Sequence, residues 1–372
     1  MLLIQDETYM RLALQMAESA AGQTDINPVV GCVLVKDGRI IGMGAHLKRG
    51  LGHAEVNALR MAGDEALGAT AYVTLEPCSH HGRTSPCSER LIEAGVKRVV
   101  VAAVDPNPQV SGRGLAKLRE QGIEVEVGLL GDEATQLNEA FNKYIVTRLP
   151  FVTMKTASTL DGKLASKSGD SKWITGEASR AFVHTLRHRH QGILVGVDTI
   201  IADDPQLSTR LAVPAVQPVR LVADSQLRIP PGARVLQEQD RQRTILLASS
   251  QAPAERRAAL EARGIEVLTC GDGPQVDLLL AMRQLGEREI ASILLEGGGR
   301  LNGAMLERQL IDKIVLLFAP KIIGGGAAAP TNISFAGYDK MNDALMLERM
   351  HVEQFGQDVC ITGYPRYERG EE

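Results

Sequence analysis

A chain of 372 residues is long for one domain and sufficient for two, each able to bury its own core. With 44% hydrophobic and 23% charged residues, the composition is that of a folded globular protein and excludes a disordered one. A formal net charge of -4 gives no general grip on a phosphate backbone, and no apolar run approaches a membrane span, so neither nucleic acid nor membrane is an expected partner.

The opening Met1-Leu2-Leu3-Ile4 is too short for a signal-peptide core before Asp6 and Glu7, so a cytoplasmic location is expected. Asp6 reads as the cap of a first helix in which Tyr9, Met10, Ala13 and Ala17 recur at helical spacing. Two short strands, Val29–Val35 and Arg39–Gly44, flank the Asp37-Gly38 hairpin signal. Then follow a helix His53–Ala62, a strand Ala71–Leu75, a helix Ser88–Ala94, a strand Arg98–Val104, a helix Leu115–Gln121 and a strand Ile123–Leu129. One helix from Glu133 to about Thr147 closes the series. A hairpin followed by strand–helix units predicts a mixed sheet with helices on both faces.

Leu149-Pro150 breaks the helical pattern, which places a domain boundary between 1–148 and 149–372. The second half also reads as α/β, with strands at Phe151–Thr156, Gly192–Val197, Val219–Ala223, Thr244–Ala248, Ile290–Leu295 and Ile314–Ala319. Helices fit between most of them, notably Glu177–Arg189 and Ala254–Arg263, and Leu345–Gly363 reads as a final hairpin.

The chemistry lies first in His53-Ala54-Glu55, Glu76-Pro77-Cys78 and Pro86-Cys87. One imidazole and two thiolates give Zn²⁺ three protein ligands and leave the fourth tetrahedral position to water, as a catalytic site requires. Zinc brings the pKa of that water toward ~7, and Glu55, two residues from the ligand histidine, is placed to carry its proton to a ring nitrogen and the departing amine. This is the signature of zinc nucleobase deaminases, except that Ser79 to Pro86 stand between the cysteines where two residues are usual. Taken singly, His53 would be a capping or core histidine and each cysteine a buried thiol; the joint pattern overturns that. A structural zinc site would need a fourth ligand. Cys32 sits in the apolar run Gly31–Val35 and reads as core, while His80 and His81 are read as loop or substrate residues with metal ligation as the alternative. Five cysteines, an odd number, fit free thiols and metal ligands better than disulfides.

The run from Glu76 to Cys87 resembles the metal loop of the bifunctional riboflavin-biosynthesis deaminase–reductases. Asn27-Pro28-Val29-Val30-Gly31, Gly52-His53-Ala54-Glu55, Asp105-Pro106-Asn107-Pro108, Asp161-Gly162-Lys163, Ser171-Lys172-Trp173-Ile174-Thr175-Gly176 and Ala202-Asp203-Asp204-Pro205-Gln206-Leu207 extend the likeness over nearly the whole chain. Ile26 and Ser85 depart from it, each standing where a proline is expected. The resemblance implies a cytidine-deaminase-like first domain that hydrolyses the 2-amino group of a diaminopyrimidinone bearing a ribosylamino 5′-phosphate. Asn27 would bond the pyrimidine, with a turn cap before Pro28 as the plainer reading; His80 and the Arg83-Thr84 pair would hold the phosphate, Arg83 being otherwise a solvated charge.

For the second half, Leu294-Leu295-Glu296-Gly297-Gly298-Gly299-Arg300 is a strand running into glycines and an apolar helix, which suits a phosphate but is weak alone; it is not the G-x-G-x-x-G fingerprint of a doubly wound dinucleotide fold. The glycine run 324–326 reads as a loop. The resemblance implies a dihydrofolate-reductase-like domain with NADPH as hydride donor, reducing the ribosylamino group to ribitylamino. Ala157, Trp173, Thr199, Asp203, Ser225, Gly298 and Gly299 would line the NADPH site; Ser171, Arg187, Leu207, Arg210 and Glu296 would meet the substrate, with Lys155 orienting or protonating the ribose. Plainer readings stand beside these: Trp173 as core, Arg187 in a solvated helix end, Asp203 as the start of a turn. No acid–base pair stands out here. A phosphorylated aminopyrimidine is the expected partner, and the assembly is expected to be a homo-oligomer. Two other readings compete: a zinc deaminase of another nucleobase, such as cytidine or a tRNA base, fused to an unrelated domain, and a non-catalytic zinc interaction module, which would have no use for Glu55.

Overall fold

The computed structural model describes residues 2–79, 85–108, 110–213 and 215–367. The chain divides into two compact units, Met1–Arg148 and Leu149–Glu372. No helix among the described residues is long and apolar enough to cross a membrane.

The first unit runs α1 (Leu2–Ser19), β1 (Gly31–Lys36), β2 (Arg39–Ala45), α2 (Ala54–Ala62), β3 (Thr70–Leu75), α3 (Cys87–Glu93), β4 (Arg98–Ala103), α4 (Arg113–Glu120), β5 (Glu124–Val127), α5 (Gly131–Leu137) and α6 (Glu139–Thr147). Its sheet has the order β2-β1-β3-β4-β5; β1 is antiparallel to both neighbours, and β3, β4 and β5 are parallel. Alternation sorts the strand residues between two cores. Cys32, Leu34, Val73, Val99 and Val101 meet Ala54, Ala58, Leu91, Leu115 and Leu118 on one face, so Cys32 is core. Val33, Val35, Tyr72, Val100 and Ala102 meet Met10, Ala13 and Ala134 on the other. The mixed sheet with helices on both faces is therefore as the sequence pattern predicts.

Two local expectations are corrected. Asp6 is not a cap, because α1 starts at Leu2 and Asp6 lies on the same buried stripe as Met10, Ala13 and Ala17. Its carboxylate accepts the Tyr72 hydroxyl at 2.5 Å and two Arg98 N–H groups at 3.1 and 2.8 Å, which satisfies a charge in the core. The expected helix 133–147 is broken between α5 and α6 at Asn138, whose amide accepts from the Val29 N–H at 2.8 Å and donates to the Val29 carbonyl at 2.9 Å. Asn138 thus acts as a strand edge for the segment that carries Asn27.

The second unit runs β6 (Phe151–Thr159), α7 (Glu177–Arg189), β7 (Gly192–Gly196), α8 (Val197–Asp203), β8 (Val219–Ala223), β9 (Thr244–Ala248), α9 (Ala254–Glu261), β10 (Glu266–Thr269), α10 (Leu278–Glu287), β11 (Ser292–Leu295), α11 (Gly299–Glu307), β12 (Lys313–Ala319), β13 (Met346–Phe355) and β14 (Asp358–Arg366). The nine strands have the order β10-β9-β8-β7-β11-β6-β12-β14-β13, parallel through β12, with the final hairpin antiparallel. Helices α10 and α11 cover the face of Val152, Met154, Leu194 and Leu295. Residues of α8 and α9 cover the face of Ile193, Val195 and Leu246, and α7 packs on Val315 and Leu317. From β6 the chain steps outward through β7, β8, β9 and β10, then returns to insert β11 between β7 and β6. That reversal makes a topological switch point, and the carboxyl ends of strands at such a point form a ligand crevice.

Candidate active sites

In the first unit, the turn into α2 and the segment from β3 to α3 bring the three expected metal donors together. His53 precedes α2 in extended backbone, Cys78 follows β3, and Cys87 is the first residue of α3. His53 Nδ1 lies 3.3 Å from Cys87 Sγ and 3.6 Å from Cys78 Sγ, and the Cys87 N–H donates to Cys78 Sγ at 3.3 Å. All three donor atoms fall within 4.8 Å of one another, and among the described residues no fourth His, Cys, Asp or Glu joins them. Two thiols and an imidazole so close are the donor set of a tetrahedral zinc centre with one position left over. The Cys87 thiol's hydrogen bond, opposed by burial, holds the Cys78 thiol down at about 4; the same bond and burial push Cys87 up.

Glu55 sits in the first turn of α2 with 3% of its surface exposed. Burial, then the Cys78 thiolate, pushes its carboxyl up to about 7, and a cation held by the three donors would pull the other way. The seat of this helix start is close. A Cβ on Gly44 would come within 2.2 Å of the Ala54 carbonyl oxygen, so β2 must present glycine there. Asn57 donates to the carbonyls of Ala45 at 3.0 Å and Gly52 at 3.2 Å, fixing the entry to His53. Asn27 Nδ2 lies 3.1 Å from His46 Nε2. His80 and Arg83 lie outside the described residues.

In the second unit the carboxyl end of the sheet gathers a charged cluster. Arg187 on α7 donates to Glu296, directly after β11, at 2.6 and 3.0 Å and to the Ser208 carbonyl at 3.0 Å. Lys155 on β6 stands 3.5 Å from the same carboxylate. These side chains are 11–14% exposed. Burial would raise the Glu296 carboxyl, but Arg187 and then Lys155 outweigh it and hold it at about 2. Arg187 is therefore buried in an ion pair, not solvated at a helix end.

Ala157 lies on β6, Thr199 and Asp203 on α8 after β7, Ser225 after β8, and Gly298 and Gly299 at the start of α11 after β11. A Cβ on Gly299 would meet the Thr331 carbonyl oxygen at 2.4 Å, so this turn admits only glycine. The structure does not bring every candidate to the charged cluster. The Leu207 side chain is buried among Ile193, Val195 and Ile200. Trp173 is 66% exposed, with the Arg180 guanidinium 4.8 Å over its ring, so it is not core. Ser171 and Asp203 lie at partly and fully exposed positions.

Residues 3–103 match the cytidine and deoxycytidylate deaminase zinc-binding region, and residues 150–361 match the RibD C-terminal domain. The chain is 45% identical to the riboflavin biosynthesis protein RibD of Actinobacillus pleuropneumoniae, over 96% of this chain and 94% of that one. It is 44% identical to the RibD of Aquifex aeolicus, over 97% and 99%. The chain belongs to the RibD family. Its members are bifunctional deaminases and reductases of riboflavin biosynthesis. The solved Acinetobacter baumannii RibD superposes with a TM-score of 0.88 at 39% identity, covering 98% of this chain and 100% of that one. A Thermotoga maritima structure titled as a diaminohydroxyphosphoribosylaminopyrimidine deaminase and 5-amino-6-(5-phosphoribosylamino)uracil reductase gives 0.87 at 35%, with the same coverage.

Two residues to which the motifs assigned no role, His46 and Glu76, shape the zinc-binding region. His46 is buried, its Nδ1 lies 3.3 Å from the Gly52 carbonyl, and its ring meets His53 edge-on at 5.3 Å. A carbonyl accepts only from N–H, so Nδ1 carries the proton and Nε2 accepts from the Asn27 amide. Asn27 then turns its oxygen elsewhere. Glu76 is buried just before Cys78 and accepts the N–H groups of Gly112 and Gly114, both at 2.9 Å, with longer bonds from Asp105 and Leu115 at 3.4 Å. We predict that Glu76→Ala, by orphaning these buried donors, lowers the unfolding free energy by roughly 3 kcal/mol. Urea denaturation followed with zinc content checks this; unchanged stability and zinc retention would refute it.

Proposed function

We propose that the first unit hydrolyses the exocyclic 2-amino group of a diaminopyrimidinone bearing a ribosylamino 5′-phosphate, releasing ammonia. The second unit then reduces the ribosylamino group to ribitylamino with NADPH. The observation that carries this reading is His53, Cys78 and Cys87 converging beside the buried carboxyl of Glu55 in a chain whose second half is a RibD reductase.

His53, Cys78 and Cys87 would hold zinc, which supplies Lewis acidity that makes water nucleophilic at neutral pH. Glu55 takes one proton from the attacking water and gives it to the ring nitrogen, then takes the second from the new hydroxyl as the carbonyl forms and gives it to the leaving amine, so one carboxyl serves twice as base and as acid. Burial strengthens this carboxyl's hold on a proton, and a cation at the three donors would oppose it. Asn27, its amide turned by His46, presents its oxygen to the pyrimidine.

In the second unit Gly298 and Gly299, with Ala157, Trp173, Thr199, Asp203 and Ser225 around the same sheet edge, support the NADPH site. When bound there, that cofactor would be the source of the hydride for the ribose C1. Lys155, held against Glu296, orients the sugar and gives a proton to its ring oxygen as the ring opens. Arg210 and Ser171 stand for the phosphate and hydroxyls, where a guanidinium fork can bind two oxygens at once, while the Arg187 fork is held by Glu296 and borders the substrate beside it. Reduction then rests mainly on positioning and pocket electrostatics.

Chelation separates the two activities. Stripping metal from the protein should abolish ammonia release from the diaminopyrimidinone phosphate and leave NADPH oxidation on the deaminated compound intact, with zinc restoring the first. Ammonia release that persists in metal-free protein would overturn the reading. Turnover of free cytidine in place of the phosphorylated substrate would favour the other nucleobase deaminases.

A further inference from the structure

The segment between α8 and β8 carries Leu207 and Arg210 and has no regular secondary structure from 207 to 217, apart from residue 214, which is not described. Side chains substitute for a strand partner along it. Gln217 pairs with both backbone groups of Thr209, at 2.8 and 2.9 Å. Helix α7 supplies the rest from one face, since residues three and four apart are neighbours on a helix. Arg187 donates to the Ser208 carbonyl at 3.0 Å. His188 Nδ1 accepts the Val216 N–H at 3.2 Å, and His184 Nδ1 accepts the Arg210 N–H at 3.2 Å.

We propose that His184 is a positioning residue of the reductase centre, whose unprotonated Nδ1 accepts the Arg210 N–H and so fixes the backbone from which the Arg210 side chain reaches the substrate. The inference deepens the reading that Arg210 meets the sugar phosphate, and rests on it. An N–H can bond only to a lone pair, so Nδ1 bears no proton and Nε2 carries the hydrogen. The surroundings enforce that state. Burial, then the charges of Arg187 and Arg210, with Lys155 on β6 adding to them and Glu296 opposing, keeps the imidazole at about 4. His184 is thus a neutral acceptor set among three cations and one carboxylate. An exposed arginine on an irregular segment would otherwise lose rotamer and backbone freedom when a substrate arrives; the clamp removes the backbone part in advance. Arg187 ties the same segment to Glu296, so one helix sets the distance between the segment and the Lys155–Glu296 pair.

Steady-state reduction of the deaminated substrate tests this, with ammonia release and NADPH affinity measured on the same samples. His184→Ala should raise KM for the pyrimidine phosphate about 10-fold, the equivalent of one lost hydrogen bond, with kcat within about 2-fold. NADPH affinity and ammonia release should be unchanged. His184→Asn, whose side-chain oxygen can take the place of Nδ1 as acceptor, should recover most of the loss. Unchanged KM in His184→Ala, while Arg210→Ala raises it, would overturn the positioning role and leave the substrate reading intact. Arg210→Ala without effect on KM would sink the reading beneath it. Failure of the Asn variant to rescue, or a parallel loss of NADPH affinity, would mark His184 as merely structural and overturn the proposal.

Discussion

Replacing Glu55 by Gln will cut ammonia release by about 10²- to 10⁴-fold, the range a positioned general acid–base group supplies. Zinc will stay bound, because the donors His53, Cys78 and Cys87 are untouched and the amide keeps the shape of the side chain in a site with 3% exposure. The deaminated substrate will still be reduced at the wild-type rate. The result is informative because Glu55 is costly to keep. A carboxyl buried in the first turn of α2, beside a thiolate, is destabilised as an anion, which is why it rises to about 7. Gln is uncharged and nearly isosteric, so the variant should unfold close to the parent's temperature. Folding cannot then be blamed for lost activity. Metal analysis, thermal unfolding and separate assays for ammonia and NADPH check each part. Full ammonia release in the Gln variant would show that the proton travels by another route.

What could be read from the amino-acid order follows from how local each signal is. His53, Cys78 and Cys87 were legible because few residue types bind zinc and each stands beside a recognisable neighbour, Glu55 or a proline. The strand of Val33 and Leu34 was legible as an apolar run before the Asp37-Gly38 turn, and in the structure alternation sends the two side chains to opposite cores. Asn138 and Glu76 were not. Their partners are backbone groups of Val29, 109 positions away, and of Gly112 and Gly114, 36 and 38 away. A buried amide or carboxylate bonding to main chain leaves no pattern in composition or periodicity. His46 and His184 failed for the same reason, since what matters is the tautomer imposed by a carbonyl or an N–H. Asp6 misled because an acidic residue near a helix start is usually a cap, whereas here Arg98 and Tyr72 reach it from the sheet. Strand β10 is only four residues at the sheet edge, too short to show a period.

Glu296→Gln will damage the reductase unit more deeply than loss of one contact suggests. The carboxylate takes two Arg187 N–H groups and stands against Lys155, all nearly buried. Gln leaves two cations in low dielectric without their counter-charge, and breaking one side of such a cluster costs about 3–5 kcal/mol. The displaced acid equilibrium gives a similar figure. A carboxyl held at about 2, against roughly 4.3 in the unfolded chain, contributes about 3 kcal/mol. Because the folded value is the lower one, that stability is present above pH ~4.3 and is lost as pH falls toward 2. The wild-type reductase unit should therefore lose stability over that window, and the Gln variant should lack that part of the acid dependence. At neutral pH the variant's reductase transition should drop by about 6–20 °C, at 2–4 °C per kcal/mol for a unit of this size. NADPH oxidation should vanish on heating well before ammonia release does. The double variant Arg187→Met with Glu296→Gln separates stability from function. If it regains thermal stability but stays inactive in reduction, the pair is kept for substrate and not for the fold, as buried ion pairs replaced by apolar groups often allow. A Glu296→Gln protein as heat-stable as the parent, with the same acid profile, would mean that the Arg187 and Lys155 charges are compensated elsewhere and that this cluster is not the electrostatic centre of the reductase.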